Sequence, residues 1–221
     1  YVGTPINNIR TDVFDGIFQT DADAINSAQG SLGGTITPFQ NVATLLAGAI
    51  RLKDVNGDGR INDDDQVIFA TDPKWFSSIS TTVSYKSFDL LADLYFVEGT
   101  MKINPYLSSF NEGGTLQSVR NGIKVDYWTP ENPSNTFPRP NYSAAPANVS
   151  SLGLRESSYV RLRTLSLGYN MQNSLLDKMK LSGLRVYITA SNLFTITDYK
   201  SYSPENNPNQ FPDTKSFTFG L

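Results

Sequence analysis

The sequence predicts an all-β fold of antiparallel strands, and three observations carry that expectation. Several long stretches alternate between apolar and polar residues at the two-residue period of a strand. Aromatic residues make up 12% of the chain (13 Phe, 11 Tyr, 2 Trp) amid abundant Ser, Thr and Asn, a mixture that favours strands and turns over helices. The stretches are separated by segments rich in Gly, Pro, Asn and Ser. With 221 residues, of which 39% are hydrophobic, the chain can form one large β domain or two small ones, with a thin core.

The elements follow in order. An opening strand is expected near 9–18. Residues 77–85, SSISTTVSY, place Ile79, Thr81, Val83 and Tyr85 on one face and Ser78, Ser80, Thr82 and Ser84 on the other. After the turn KSFD, residues 88–99 set Phe88, Leu90, Ala92, Leu94 and Phe96 against Asp89, Asp93 and Tyr95, so the two segments read as a hairpin. Residues 158–170 group Leu165, Leu167 and Tyr169, but Arg161 and Arg163 fall in the same phase. Either this strand carries a bulge or its outer end lies above the apolar zone, and the second reading is preferred. Leu175, Leu176 and Met179 in 171–183 predict one or two helical turns in a compact connection, packed apolar side down. Residues 184–196 group Leu184, Val186, Ile188, Ala190 and Phe194, and the final strand sets Phe217, Phe219 and Leu221 against Thr218 and Gly220. Six strands are expected in all.

The connections are unequal in a regular way. Those at 86–88 and 171–183 are short or compact, whereas 19–75, 101–157 and 197–214 are long. With consecutive strands antiparallel, every long connection emerges at one end of the sheet, as in an outer-membrane β-barrel with short turns on one side and long external loops on the other. A soluble sandwich with one wet face would produce the same alternation. Against it, the polar faces are small hydroxyl residues and aspartates in place of Lys and Glu, and the apolar faces end in Tyr85, Tyr169 or Phe219, as interfacial aromatic girdles do.

Composition narrows the chemistry. There is no cysteine and no histidine, so thiolate chemistry, imidazole general bases and histidine-containing zinc sites are excluded, and a metal site would be built from oxygen ligands for calcium or magnesium. A net charge of −3 with scattered Lys and Arg gives no reason to expect nucleic acid as a partner. The longest apolar run, VATLLAGAI at 42–50, falls far short of the ~20 residues of a membrane helix. Glu131 and Glu205 could pair as glycosidase carboxylates do, yet nothing in their spacing brings them together, and an enzyme is not expected. The chain opens as though entering mid-strand, and is read as the C-terminal piece of something longer.

Three groups of residues are candidates for binding. In DVNGDGRINDDD (54–65), Asp54, Asn56 and Asp58 stand at positions 1, 3 and 5 of an EF-hand-type loop, with the carbonyl of Arg60 at 7 and Asp65 at 12. Asp65 replaces the usual bidentate Glu and no helix pair flanks the loop. A structural calcium ion and an ion-free turn held by Asx-type hydrogen bonds both fit, and either would stiffen a loop without doing chemistry. In YWTPENPSNTFPRP (127–140), Tyr127, Trp128 and Phe137 sit among prolines that hold the backbone extended. These aromatics could contact a substrate, although packing within a stiffened loop or against a partner is favoured. Asp89 and Asp93 are expected to line the lumen of a barrel.

Four stretches, GIFQT (16–20), KDVNGDGRINDDDQVIF (53–69), YWTPENPSNTFPRP (127–140) and SSYVRLRTLSLGYN continuing to RVYITASNLFTITDY (185–199), together with FPDTKSFTFGL near the end, resemble the C-terminal part of the SusC/RagA family of TonB-dependent outer-membrane transporters of Bacteroidetes. The resemblance covers nearly the whole chain. It implies the last strands of a 22-stranded barrel, closed in the family by an N-terminal plug. It also implies import of oligosaccharides or peptides, a SusD-like surface lipoprotein as a lid, and coupling to TonB through upstream segments. The family ends a few residues beyond FGL with a terminal aromatic, so a chain stopping at Leu221 reads as truncated. The alternative from another class is a secreted, calcium-stabilised β adhesin or glycan-binding module, which would stay in the aqueous phase where a barrel requires detergent. A dockerin-like module would need a second calcium repeat and flanking helices, and neither is visible.

Overall fold

The computed structural model describes residues 3–29, 47–104, 107, 126–140, 148–172, 176–177, 180–206 and 210–221. Along the chain run β1 (Asn8–Thr11), β2 (Phe14–Ile17), the short helix α1 (Asp21–Ile25), β3 (Ile50–Leu52), β4 (Val67–Ala70), β5 (Trp75–Tyr85), β6 (Phe88–Glu98), β7 (Met101–Ile103), β8 (Leu154–Glu156), β9 (Tyr159–Asn170), β10 (Arg185–Ile196) and β11 (Ser216–Gly220). They fall into two compact units, one of Tyr1–Asp72 with Met101–Arg155, the other of Pro73–Thr100 with Glu156–Leu221. The expectation of an all-β, antiparallel fold holds.

The second unit is a five-stranded sheet in the order β11-β10-β9-β6-β5, antiparallel throughout. The hairpin of β5 and β6 is in register over its full length, from Trp75↔Glu98 to Tyr85↔Phe88. Its two-residue turn places Lys86 at a left-handed φ of 55°, the backbone that matches a tight hairpin to the twist of its strands. Between β9 and β10, Met171 N donates to the Leu184 carbonyl at 2.9 Å, and Leu176 is buried, as an inward-packed connection requires. Leu175 and Met179 lie outside the described residues.

The misphased arginines have a specific cause. Asp93 of β6 pairs with Thr164, whereas the next residue, Leu94, pairs with Leu162, so Arg163 is an extra residue on β9. A matching irregularity follows on β10, where Ser191 pairs with Thr164 and Phe194 with Leu162. The bulge, not an outer strand end above the apolar zone, explains the pattern. It reverses the parity of β9, so Leu162 and Val160 stay on the apolar face with Leu165, Leu167 and Tyr169, while Arg161 turns to the polar one.

The first unit is built from small ribbons. The expected opening strand at 9–18 is two strands broken at Asp12 and Val13, with β1 pairing with β4 and β2 with β3. Neither joins the five-stranded sheet, which therefore holds five of the six expected strands. Thr20 caps α1 by accepting the Asp23 N–H at 3.1 Å. The core of this unit gathers Ile17, Ile50, Leu52, Trp128 and Leu152, with Phe14, Ile61, Phe137 and Val149 packed against it.

Candidate functional site

The five-stranded sheet presents two chemically opposed faces. Register places Ile79, Val83, Leu90, Leu94, Leu165, Leu167, Val186, Ile188, Phe217 and Phe219 on one of them. Many are open to the surroundings: Ile79 and Val83 at 56% each, Phe219 at 75%. A sheet that covered this face with a second layer would have brought such residues towards zero. At the tight-turn end Tyr85 pairs with Phe88, whose ring lies 4.7 Å from that of Tyr169. At the opposite end of the strands stand Trp75 and Phe96.

The other face is polar and internally bonded. Asp89 pairs with Arg185 at 2.5 Å and accepts from Asn170 Nδ2 at 3.3 Å. Asp93 accepts from Ser78 Oγ at 3.2 Å, and the Ser166 and Thr189 hydroxyls lie 2.8 Å apart. Gly168 lies opposite Asp89 in the register, and a Cβ there would come within 2.7 Å of the Asp89 carboxylate, so the ion pair occupies the space a side chain would need. The structure thus puts Asp89 and Asp93 on one polar surface, each with a partner.

Towards the end of the sheet where β6 leaves and β9 enters, the same face carries a constellation that the sequence pattern did not single out. Arg161 is only 4% exposed. Its Nε donates to Thr195 Oγ1 at 3.0 Å, and its two terminal nitrogens pair with Glu205 at 2.8 Å and Asp213 at 2.6 Å. Arg163 stacks 3.4 Å over the Tyr95 ring and reaches Glu205 at 3.6 Å. A buried guanidinium demands such partners, because unpaired it would cost several kcal/mol. An arginine in phase with strand leucines was the signal. Its partners, 44 and 52 residues away, had none.

In the first unit, the loop at 54–65 closes on its own hydrogen bonds. The Asp54 carboxylate accepts from the Gly57 and Gly59 N–H groups at 2.6 and 2.8 Å, and Asp58 accepts from Arg60 N at 2.8 Å. Asp65 is 1% exposed and accepts from Asn62 N at 2.9 Å and Val55 N at 2.8 Å, closing a capping box with Asn62. Donation from Asn62, reinforced by Val55 and Asn56, holds the Asp65 carboxyl below its ordinary value of 3.8 in spite of burial. Asn56 Nδ2 donates to Asp58 at 3.2 Å. Among the described residues no group of three or more acidic side chains gathers as a metal cage. The donor set suits a hard cation in kind, and hydrogen bonds within the turn hold the same residues together.

The aromatic loop divides. Trp128 is 8% exposed, part of the core, and donates Nε1–H to Gln19 Oε1 at 3.0 Å. Gly48, at φ +85°, lets the backbone close on the indole at a distance no Cβ could share. Phe137 packs on the same core, and Trp128 N donates to its carbonyl at 3.1 Å. Tyr127 alone of the three keeps an open face, at 45% exposure. Glu131 lies exposed in the turn of this loop, while Glu205 is engaged by Arg161 in the other unit.

A sheet with a bare apolar face, a hydrogen-bonded polar face and strands of 11 or 12 residues at its centre has the make-up of a wall of a transmembrane β-barrel. Comparison with known proteins agrees. TonB-dependent receptor P3 of Formosa agariphila is 30% identical over 185 residues, covering 76% of this chain and 18% of that protein. TonB-dependent receptor P26 of the same organism is 29% identical over 200 residues, covering 80% of this chain and 19% of that protein. The chain therefore spans about a fifth of the length of the curated relatives it matches. The solved RagAB peptide transporter shares the fold with a TM-score of 0.67 at 22% identity, over 96% of this chain and 22% of that one. The RagAB peptide importer in its open-open state matches at 0.65 and 20%, over 99% and 24%. No family model matches. The chain is a homologue of TonB-dependent receptors, with the fold of the corresponding part of a RagA-type transporter, as the sequence resemblance implied.

Proposed function

We propose that the chain forms part of the barrel wall of an outer-membrane TonB-dependent transporter that imports a bulky nutrient. The observation that carries this reading is the opposition of the two faces of the five-stranded sheet, one apolar and uncovered, the other polar and bonded across strands. Lipid covers the first and water fills the second. The nutrient is a glycan or a peptide. A SusD-like surface lipoprotein serves as lid, as the likeness to RagAB supports, and upstream segments receive energy through TonB. The role is transport and not catalysis, in the outer membrane of a Bacteroidetes-like cell.

In this setting Asp89 and Asp93 line the aqueous path, and Tyr127 is the residue of the aromatic loop open to substrate or lid. Trp128 and Phe137 hold that loop's shape. Calcium, where it binds, adds rigidity to the turn through Asp54, Asn56, Asp58, the Arg60 carbonyl and Asp65, and takes no part in transport. The test is fractionation of the full-length protein. A transporter enters the outer membrane, needs detergent for extraction and supports growth on one class of oligomeric nutrient. Recovery in the aqueous fraction without detergent would refute the proposal and favour the secreted module.

A further inference from the structure

We propose that Arg161 is a positioning residue that clasps the two described limbs of the connection between β10 and β11, 197–206 and 210–215, onto the polar face of the sheet, making these limbs a fixed strap beside the solute path. The inference rests on the transporter reading for the word path, but the clasp itself stands on geometry. Glu205 lies on the outgoing limb of the connection and Asp213 on the returning one, and Arg161 bonds both. The limbs are also tied to each other. Ser203 Oγ donates to Asp213 Oδ2 at 2.5 Å and accepts from Glu205 N at 3.1 Å and Asn206 N at 3.2 Å, while Asn206 Nδ2 donates to Asp213 Oδ1 at 2.7 Å. The strap begins with Thr197 Oγ1 donating to the Ser158 carbonyl at 2.8 Å and accepting from Tyr199 N at 3.1 Å, and Tyr199 is itself buried.

Three features make this more than a surface ion pair. Arg161 is buried with the strap in place, so its bonds to Glu205 and Asp213 form where water competes little for them. The bonds diverge to Thr195, Glu205 and Asp213 from one planar group, a geometry that a lysine ammonium does not reproduce. Finally, the bulge at Arg163 is what turns Arg161 to the polar face, so strand irregularity and strap form one device.

The test uses the full-length transporter in outer-membrane vesicles, with Ser201→Cys as reporter. The Ser201 hydroxyl is buried and makes no hydrogen bond, and these 221 residues contain no other thiol, so the labelled peptide is identifiable by mass spectrometry. With a membrane-impermeant maleimide, labelling is expected to be slow in the otherwise native protein. In Asp213→Asn, Ser203→Ala and Arg161→Lys backgrounds it is expected to rise about tenfold or more, equivalent to ~1.4 kcal/mol of clasp. Arg161→Lys keeps the charge and is not expected to restore slow labelling. Heat-modifiable mobility on gels reports the barrel separately, and Asp213→Asn and Ser203→Ala leave the strands untouched. Unchanged labelling in those two variants within a heat-modifiable barrel overturns the clasp. A native protein that never reaches the outer membrane refutes the transporter reading instead.

Discussion

Ile79→Arg is the most direct challenge to the reading of the sheet. The side chain lies on the apolar face of β5, opposite Leu94, and is 56% exposed. The 11-residue strand from Trp75 to Tyr85 is about 34 Å long at ~3.4 Å per residue. Tilted by ~45° it stands about 24 Å tall, close to the ~25 Å apolar band of an outer-membrane barrel. Ile79 then lies roughly 10 Å inside the band from the Trp75 level, near its middle. An arginine at such a depth costs about 2–4 kcal/mol. Ser80→Arg, one residue away on the polar face, places the same charge in water and costs within about 0.5 kcal/mol. Equilibrium unfolding of the full-length protein in lipid vesicles, by guanidinium titration followed through tryptophan emission, measures both. Equal stabilities for the two variants would refute the assignment of lipid to one face and water to the other.

Trp128→Ala empties a core position of the first unit and is expected to destabilise that unit by about 3–5 kcal/mol, read as increased amide exchange at Ile17, Ile50 and Leu52. The Asp65 carboxyl has a lowered pKa in the folded loop, so its stabilisation is fully present above 3.8 and lost as pH falls through the lower folded value. Protection of the Val55 and Asn62 amides should therefore hold from neutral pH to about 4 and fall below it, whereas Asp65→Asn should be less protected at neutral pH and flat with pH. For calcium, titration into chelator-treated protein is expected to slow proteolysis of the 54–65 loop in the native chain and not in Asp54→Ala/Asp58→Ala. Chelator alone should leave the loop folded on its own hydrogen bonds. No slowing with calcium would leave the loop as an ion-free turn.

How far the sequence reached depended on the range of the interactions. The β5–β6 hairpin was legible in its two faces, because alternation fixes them, while its register is set by the two-residue turn that the structure shows at Lys86 and Ser87. The misphase at Arg161 and Arg163 is visible in the sequence, but its cause, a bulge in place of a strand end above the apolar zone, is not. A bulge of one residue leaves no mark in a single strand and shows itself only through partners such as Asp93 and Leu94. The opening strand was over-read, since local apolar spacing at 9–18 does not reveal that β1 and β2 pair with different neighbours. Trp128 and Tyr127, adjacent in sequence, parted in role because one has Gly48 and Gln19 against it and the other stays 45% exposed.

Among the described residues, the five-stranded sheet leaves two edges and one apolar face open. Its outer strands, β5 and β11, each have a strand partner on one side only among the described residues, and their apolar residues Ile79, Val83, Phe217 and Phe219 are more than half exposed. In water the bare face calls for a second layer, and in lipid the two edges call for further strands. Each unpaired backbone group in hydrocarbon costs several kcal/mol, so closure by further strands outweighs any gain from side-chain packing at an open edge. A sandwich would satisfy the face and still leave the edges open, whereas a closed barrel removes the edges and makes the bare face its contact with lipid. The polar face, with Asp89–Arg185, Asp93–Ser78 and the Arg161 cluster, meets water in either solution and keeps its hydrogen bonds in both, so the edges decide between them.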